Sequence, residues 1–160
     1  MRSRNPERTA WVTLTAERYP RLSIVRDGGL FDDSRTSIGP FAGAGRAQLA
    51  IEAMHDSTSL RQCTTRLTAA HNGAPCVLRD MNRCAAPCVD PDAAPAYANQ
   101  VDLAATAMTS DPSRVANALR SRMSVLAAQE RYEQAAQVRD RLEAFTAGTE
   151  RAAVLRALCR

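Results

Sequence analysis

The chain has 160 residues, and its 21 basic side chains, all arginine, exceed its 17 acidic ones to give a formal charge of +4 and a pI near 9.1. With 45% hydrophobic and 24% charged residues, the composition is that of a folded soluble protein of one domain or two small ones. No apolar run approaches the ~20 residues of a membrane span, and no apolar stretch follows the basic Met1–Arg8 as in a signal peptide, so membrane classes are excluded and a cytoplasmic protein is expected.

Residues 1–56 read as a small α+β segment. Trp11–Leu14 and Leu22–Val25 have β-propensity, and the polar stretch from Thr15 to Pro20 separates them. This predicts a hairpin, with Asp27-Gly28-Gly29 closing its second run. Gly39-Pro40-Phe41 punctuates the end of a loop, and Ala47, Leu49, Ala50, Ile51, Ala53 and Met54 then follow helical spacing. Residues 57–110 hold Cys63, Cys76, Cys84 and Cys88, with prolines at 75, 87, 91 and 95. Dense Cys and Pro with little periodicity imply a connector organised by something other than a hydrophobic stripe. Beyond Pro95, residues Tyr97, Val101, Ala104, Ala105 and Met108 share one helical face.

Residues 111–160 open on Asp111-Pro112, an N-cap followed by proline. Val115, Leu119, Met123 and Leu126 mark one helix, and Ala135, Val138, Leu142 and Phe145 mark a second. A polar turn near Glu130 makes the pair an antiparallel hairpin from about Pro112 to about Phe145. Gly148 is a candidate end of the second helix, although Val154, Leu155 and Leu158 point to further helical turns. The expected fold is α+β and mainly helical: a small β-hairpin segment, a Cys-rich metal-stapled connector and a C-terminal antiparallel helical hairpin.

Aromatic residues are only 4% of the chain, so the core rests on small aliphatics, and a thin core of this size often needs a staple. The cysteines can supply one. Four cytosolic thiolates brought together hold a soft metal centre, either zinc or an iron–sulfur cluster. Zinc sites usually pair their ligands as C-x2-4-C knuckles, and only Cys84 and Cys88 approach that spacing. Four ordinary thiols are the remaining alternative. No carboxylate cluster, Gly-rich phosphate loop or nucleophile elbow is visible. His55 and His71 sit in no recognisable site, and Asp32-Asp33 reads as a solvated loop. The arginines of the last two helices read first as a solvated face paired with Glu130, Glu133, Asp140 and Glu143, and second as phosphate contacts.

Ser37-Ile38-Gly39-Pro40-Phe41, Leu60-Arg61-Gln62-Cys63, Ala74-Pro75-Cys76 and Asn82-Arg83-Cys84-Ala85-Ala86-Pro87-Cys88-Val89 resemble, in order, the cysteine-rich segment of the UvrC family of excision-repair nuclease subunits. The stretch from Leu126 to Leu142 resembles that family's UVR motif, and Tyr19-Pro20-Arg21-Leu22 is similar to the stretch that follows its GIY-YIG domain. Actinobacterial fusions of an exonuclease to a GIY-YIG domain are similar over the same region. The resemblance implies that Cys63, Cys76, Cys84 and Cys88 ligate a [4Fe–4S] cluster, with zinc as the alternative. It further implies that the hairpin docks on a UvrB-like helicase subunit through Tyr132, Glu133, Ala135, Ala136, Arg139 and Asp140, with DNA as a second candidate partner. Arg79 and Asp80 depart from the apolar stretch the family favours between its second and third cysteines. The family's nuclease domains would lie outside residues 1–160, so a repair accessory without its own nuclease site is expected. The alternatives are a metal-stapled UVR adaptor of a kinase or protease, which would carry C-x-x-C pairs, and the non-catalytic half of a split nuclease.

Overall fold

Four successive buried residues, Ala10 to Thr13, mark β1 (Ala10–Leu14) as a strand covered on both faces. In the computed structural model, which describes residues 9–26, 34–68 and 76–159, β1 is the centre of a three-stranded antiparallel sheet. One neighbour is β2 (Leu22–Val25), in the register Trp11↔Val25 to Leu14↔Leu22, which is the hairpin the sequence predicts. The other is β3 (Ser37–Phe41), a strand where the sequence predicts the end of a loop. Gly39 and Pro40 are tolerated there because β3 is an edge strand, and the pairing is irregular between Ala10 and Val12. The Asp27-Gly28-Gly29 turn, Asp32-Asp33, His71 and Ala74-Pro75 lie outside the described residues.

Helix α1 (Ala44–His55) buries Ala47, Ala50, Ile51, Ala53 and Met54, five of the residues its spacing picks out or adjoins. The Cys-rich connector is not all loop. It contains a four-residue helix α2 (Val77–Asp80) and a 3₁₀ turn (Pro91–Ala93), and the latter leads into α3 (Ala94–Thr109). Arg79 and Asp80 are exposed on α2, so they do not intrude on the packing around the cysteines. Asp111 Oδ1 accepts the Ser113 N–H at 3.0 Å at the start of α4 (Ser113–Ala128). The turn falls at Gln129–Arg131, with Glu130 at φ 59°, and α5 runs from Tyr132 to Leu158.

α5 is one helix of 27 residues, so Gly148 does not end it. A Cβ at Gly148 would lie 2.3 Å from Cζ of Phe41, so the glycine is where the edge strand's ring meets the helix. The N-terminal half of α5 pairs with α4, and its C-terminal half, through Phe145, Thr149 and Ala152, joins the core of sheet and α1. None of the described helices is long and apolar enough to cross a membrane.

Candidate metal centre and docking hairpin

Arg61 is 1% exposed and is the largest fully buried side chain among the described residues. Its Nε donates to Tyr19 O (2.8 Å) and its Nη1 to Cys63 O (3.0 Å) and Thr65 O (2.9 Å), while Nη2 pairs with Glu17. Five N–H donors in a rigid fork can hold several carbonyls at once, which a lysine cannot. Arg61 thereby folds the irregular run after α1 around its own side chain. Its backbone N–H donates to the hydroxyl of Tyr97, which itself donates to Pro20 O. Burial pushes the Tyr97 phenol up to about 12, so it stays a donor. Tyr19 meets Tyr97 edge to face at 5.7 Å. Sequence reasoning gave Arg61 no role, because a buried arginine leaves no periodic signal.

Cys84 and Cys88 lie within electrostatic reach of Cys63 and Cys76. The Cys84 thiol is pushed up by burial and, less, by Cys76, Cys63 and Cys88; the Cys88 thiol is pushed up by burial, then by Cys63 and Cys76. Two sulfurs receive N–H donors, from Ala86 N to Cys84 Sγ (3.3 Å) and from Arg61 Nη1 to Cys63 Sγ (3.5 Å). Hydrogen bonds to sulfur are among the groups that tune Cys-ligated centres. The donor chemistry suits a soft metal, and a cation there would offset the mutual repulsion of the thiolates. Among the described residues, however, no three His, Cys, Asp or Glu side chains are grouped closely enough to hold a metal ion. Cys84 is buried and Cys88 half-buried, whereas Cys63 and Cys76 are exposed at the edge of the group. Cys159 is exposed at the end of α5 and does not act on Cys84 or Cys88.

The hairpin has no free apolar stripe. Val115, Leu119, Leu126, Val138 and Phe145 are all buried within the domain, with Ala135 packed against them. Its tip remains open, where Tyr132 is 65% and Val125 56% exposed. Glu133 is exposed and Ala136 half-buried, while Arg139 pairs with Asp140 at 3.0 Å on the same outer surface. A groove of about 390 Å³ between Val125, Gln129, Gln134 and Val138 lies on another face of α5, and none of Tyr132, Glu133, Ala136, Arg139 and Asp140 lines it. Of the six residues assigned to docking, Ala135 is therefore largely a helix-packing residue, and the other five reach the surface.

Two stretches match known families. Residues 9–107 match the UvrC/Cho excinuclease middle domain, and residues 113–145 match the UvrB/uvrC motif. Among curated proteins the chain is 33% identical over 84% of its length to the UvrABC system protein C of Nitrosomonas europaea, covering 22% of that protein. It is 34% identical over 84% of its length to the UvrABC system protein C of Citrifermentans bemidjiense, covering 21%. It is also 34% identical over 88% of its length to a putative bifunctional exonuclease/endonuclease protein of Mycobacterium tuberculosis, again covering 21%. The chain thus spans about a fifth of the length of these relatives. No solved structure matches it significantly.

Proposed function

Because the chain belongs to the UvrC/Cho excinuclease middle-domain family, we propose that it serves nucleotide excision repair as a docking segment. Its hairpin binds a matching helical hairpin on a UvrB-like helicase subunit. The observation that carries this reading is the hairpin tip, where Tyr132 and Val125 stay exposed although most of the apolar stripe is buried. Large apolar side chains held at a rigid turn are the kind of anchor a partner helix uses. Arg139 and Asp140 present both charges at the rim of that contact.

Binding of the full chain to a UvrB-type subunit tests the reading. Tyr132→Ala should weaken the complex at least tenfold, and Arg139→Glu should slow association and steepen its salt dependence. Equal binding by wild type and both variants, or no binding by any of them, overturns the surface.

The same proposal assigns a metal centre to Cys63, Cys76, Cys84 and Cys88, with [4Fe–4S] ahead of zinc. The uneven spacing and the N–H donors on two sulfurs support it. When bound, such a centre would staple the connector. Protein purified without oxygen should be coloured and lose its visible absorption together with iron when Cys84→Ser is introduced. A colourless protein with one zinc would exclude the cluster and keep the staple. Full-length protein containing neither metal, and equally stable after all four cysteines are changed to serine, would remove the centre.

A further inference from the structure

A second cavity lies between α1, β2, the cysteine connector and α5, with a volume of about 420 Å³. It is within the range of small-ligand sites. Among the described residues its charged lining is Arg21, Arg83 and Arg141 against Glu52 and Asp56, three guanidinium groups to two carboxylates. Arg122 adds a further positive charge from behind, at 3.1 Å from Asp56.

The arginines are not used up by these pairs. Arg141 spends Nε on Glu52 and Nη1 on Asp56, which leaves Nη2 for a ligand. Arg83 holds Asp56 only through a 3.6 Å contact. Arg21 Nε is buried and forms an ion pair with Glu17 at 3.4 Å, while His55 Nε2 is buried without a hydrogen-bond partner. Buried polar atoms are nearly always satisfied in folded proteins, so the orphaned His55 Nε2 on the cavity wall marks a place for a polar ligand. Ser23, Gln48 and Thr64 add neutral hydrogen-bonding groups.

We infer that this cavity binds phosphate, and specifically a backbone phosphodiester of duplex DNA. An excess of arginine with hydroxyl and amide neighbours is the chemistry of phosphate contacts. Among the described residues no phenylalanine, tyrosine or tryptophan lines the cavity, so these residues offer no stacking platform of the kind that single strands and free nucleotides use. The inference is independent of the partner docking proposed above.

The test is fluorescence anisotropy of a labelled 20-base-pair duplex titrated with the full 160-residue chain over a range of salt. Arg83→Gln and Arg21→Gln should each weaken binding roughly three- to tenfold and lower the slope of log K against log salt by about 0.9. Glu52→Gln should tighten binding, because it frees Arg141 without removing a cation. Arg120→Gln, on the exposed face of α4, should change neither affinity nor slope. A loss at Arg120 equal to that at Arg83 would reduce the effect to general charge and overturn the site. So would wild-type affinity in both cavity variants, or looser binding by Glu52→Gln. Inorganic phosphate or a mononucleotide binding tightly to protein that does not bind the duplex would overturn the assignment to a DNA backbone.

Discussion

His55 shows how burial turns an ordinary side chain into a pH-dependent liability. Burial, aided by the positive charge of Arg83, lowers its pKa from 6.5 to about 4, against the opposing pull of Asp56 and Glu52. The unfolded chain takes up this proton near 6.5, whereas the folded chain refuses it until near 4. Stability present at pH 7 is therefore lost as the pH falls through that window, by on the order of 2–3 kcal/mol at its lower end. Denaturant titrations at pH 7 and pH 4.5 should show the loss, and His55→Gln should remove most of the difference between them. Arg61 is the complementary case, since its charge is permanent and all its groups are committed. Arg61→Lys should cost about 2–4 kcal/mol, because an ammonium cannot reach Tyr19 O, Thr65 O and Glu17 together. An unchanged denaturation midpoint in that variant would show that the fork is not what holds the connector.

Among the elements, α5 makes the sharpest prediction. Alanine is a better helix former than glycine by about 1 kcal/mol, yet Gly148→Ala should destabilise the protein. Its methyl would meet the Phe41 ring at 2.3 Å, and overpacking of that kind costs about 1–3 kcal/mol. Phe41→Leu in the same chain should recover part of the loss, and a double-mutant cycle on thermal unfolding measures the coupling. The same contact explains what could be read from the sequence. The helices and the first hairpin were legible because their apolar residues recur at helical or strand spacing. The length of α5 was not, because Gly148 has the appearance of a stop until Phe41 is known to lie against it. β3 was hidden by Gly39-Pro40, which fits an edge strand but breaks any strand pattern. The cysteines stood out by spacing, and the turn at Glu130 by polarity. Arg61 and the arginine-lined cavity did not, because burying a charge depends on partners as far as 44 and 89 residues away.

At the scale of the whole molecule, Asp56 joins parts that the sequence separates. Its side chain is 4% exposed at the end of α1, and it meets Arg83 beside Cys84, Arg122 on α4 and Arg141 on α5. One carboxylate thus fastens the connector and both helices of the hairpin to the sheet domain. The hairpin is consequently no tethered module; α5 continues past the motif's last residue, 145, into the core. Its tip is presented in a fixed direction relative to the cysteines, which lowers the ordering cost a partner must meet. Asp56→Ala should leave three guanidinium groups facing one another around a lost acceptor. Because the arginines are partly solvated, the expected loss is about 2 kcal/mol and not the larger figure for a fully buried pair. Hydrogen exchange locates it: amides of α4, the first half of α5 and the segment around Arg83 should exchange faster, while those of β1 and β2 should not. The β1–β2 ladder does not pass through Asp56, so uniform acceleration would mean global destabilisation and would remove the fastening role. Asp56→Asn keeps an acceptor oxygen without the charge, and it should fall between wild type and alanine if charge and hydrogen bonding both contribute. Equality of the asparagine and alanine variants would assign the whole effect to charge, and with it the fixed bearing of the hairpin.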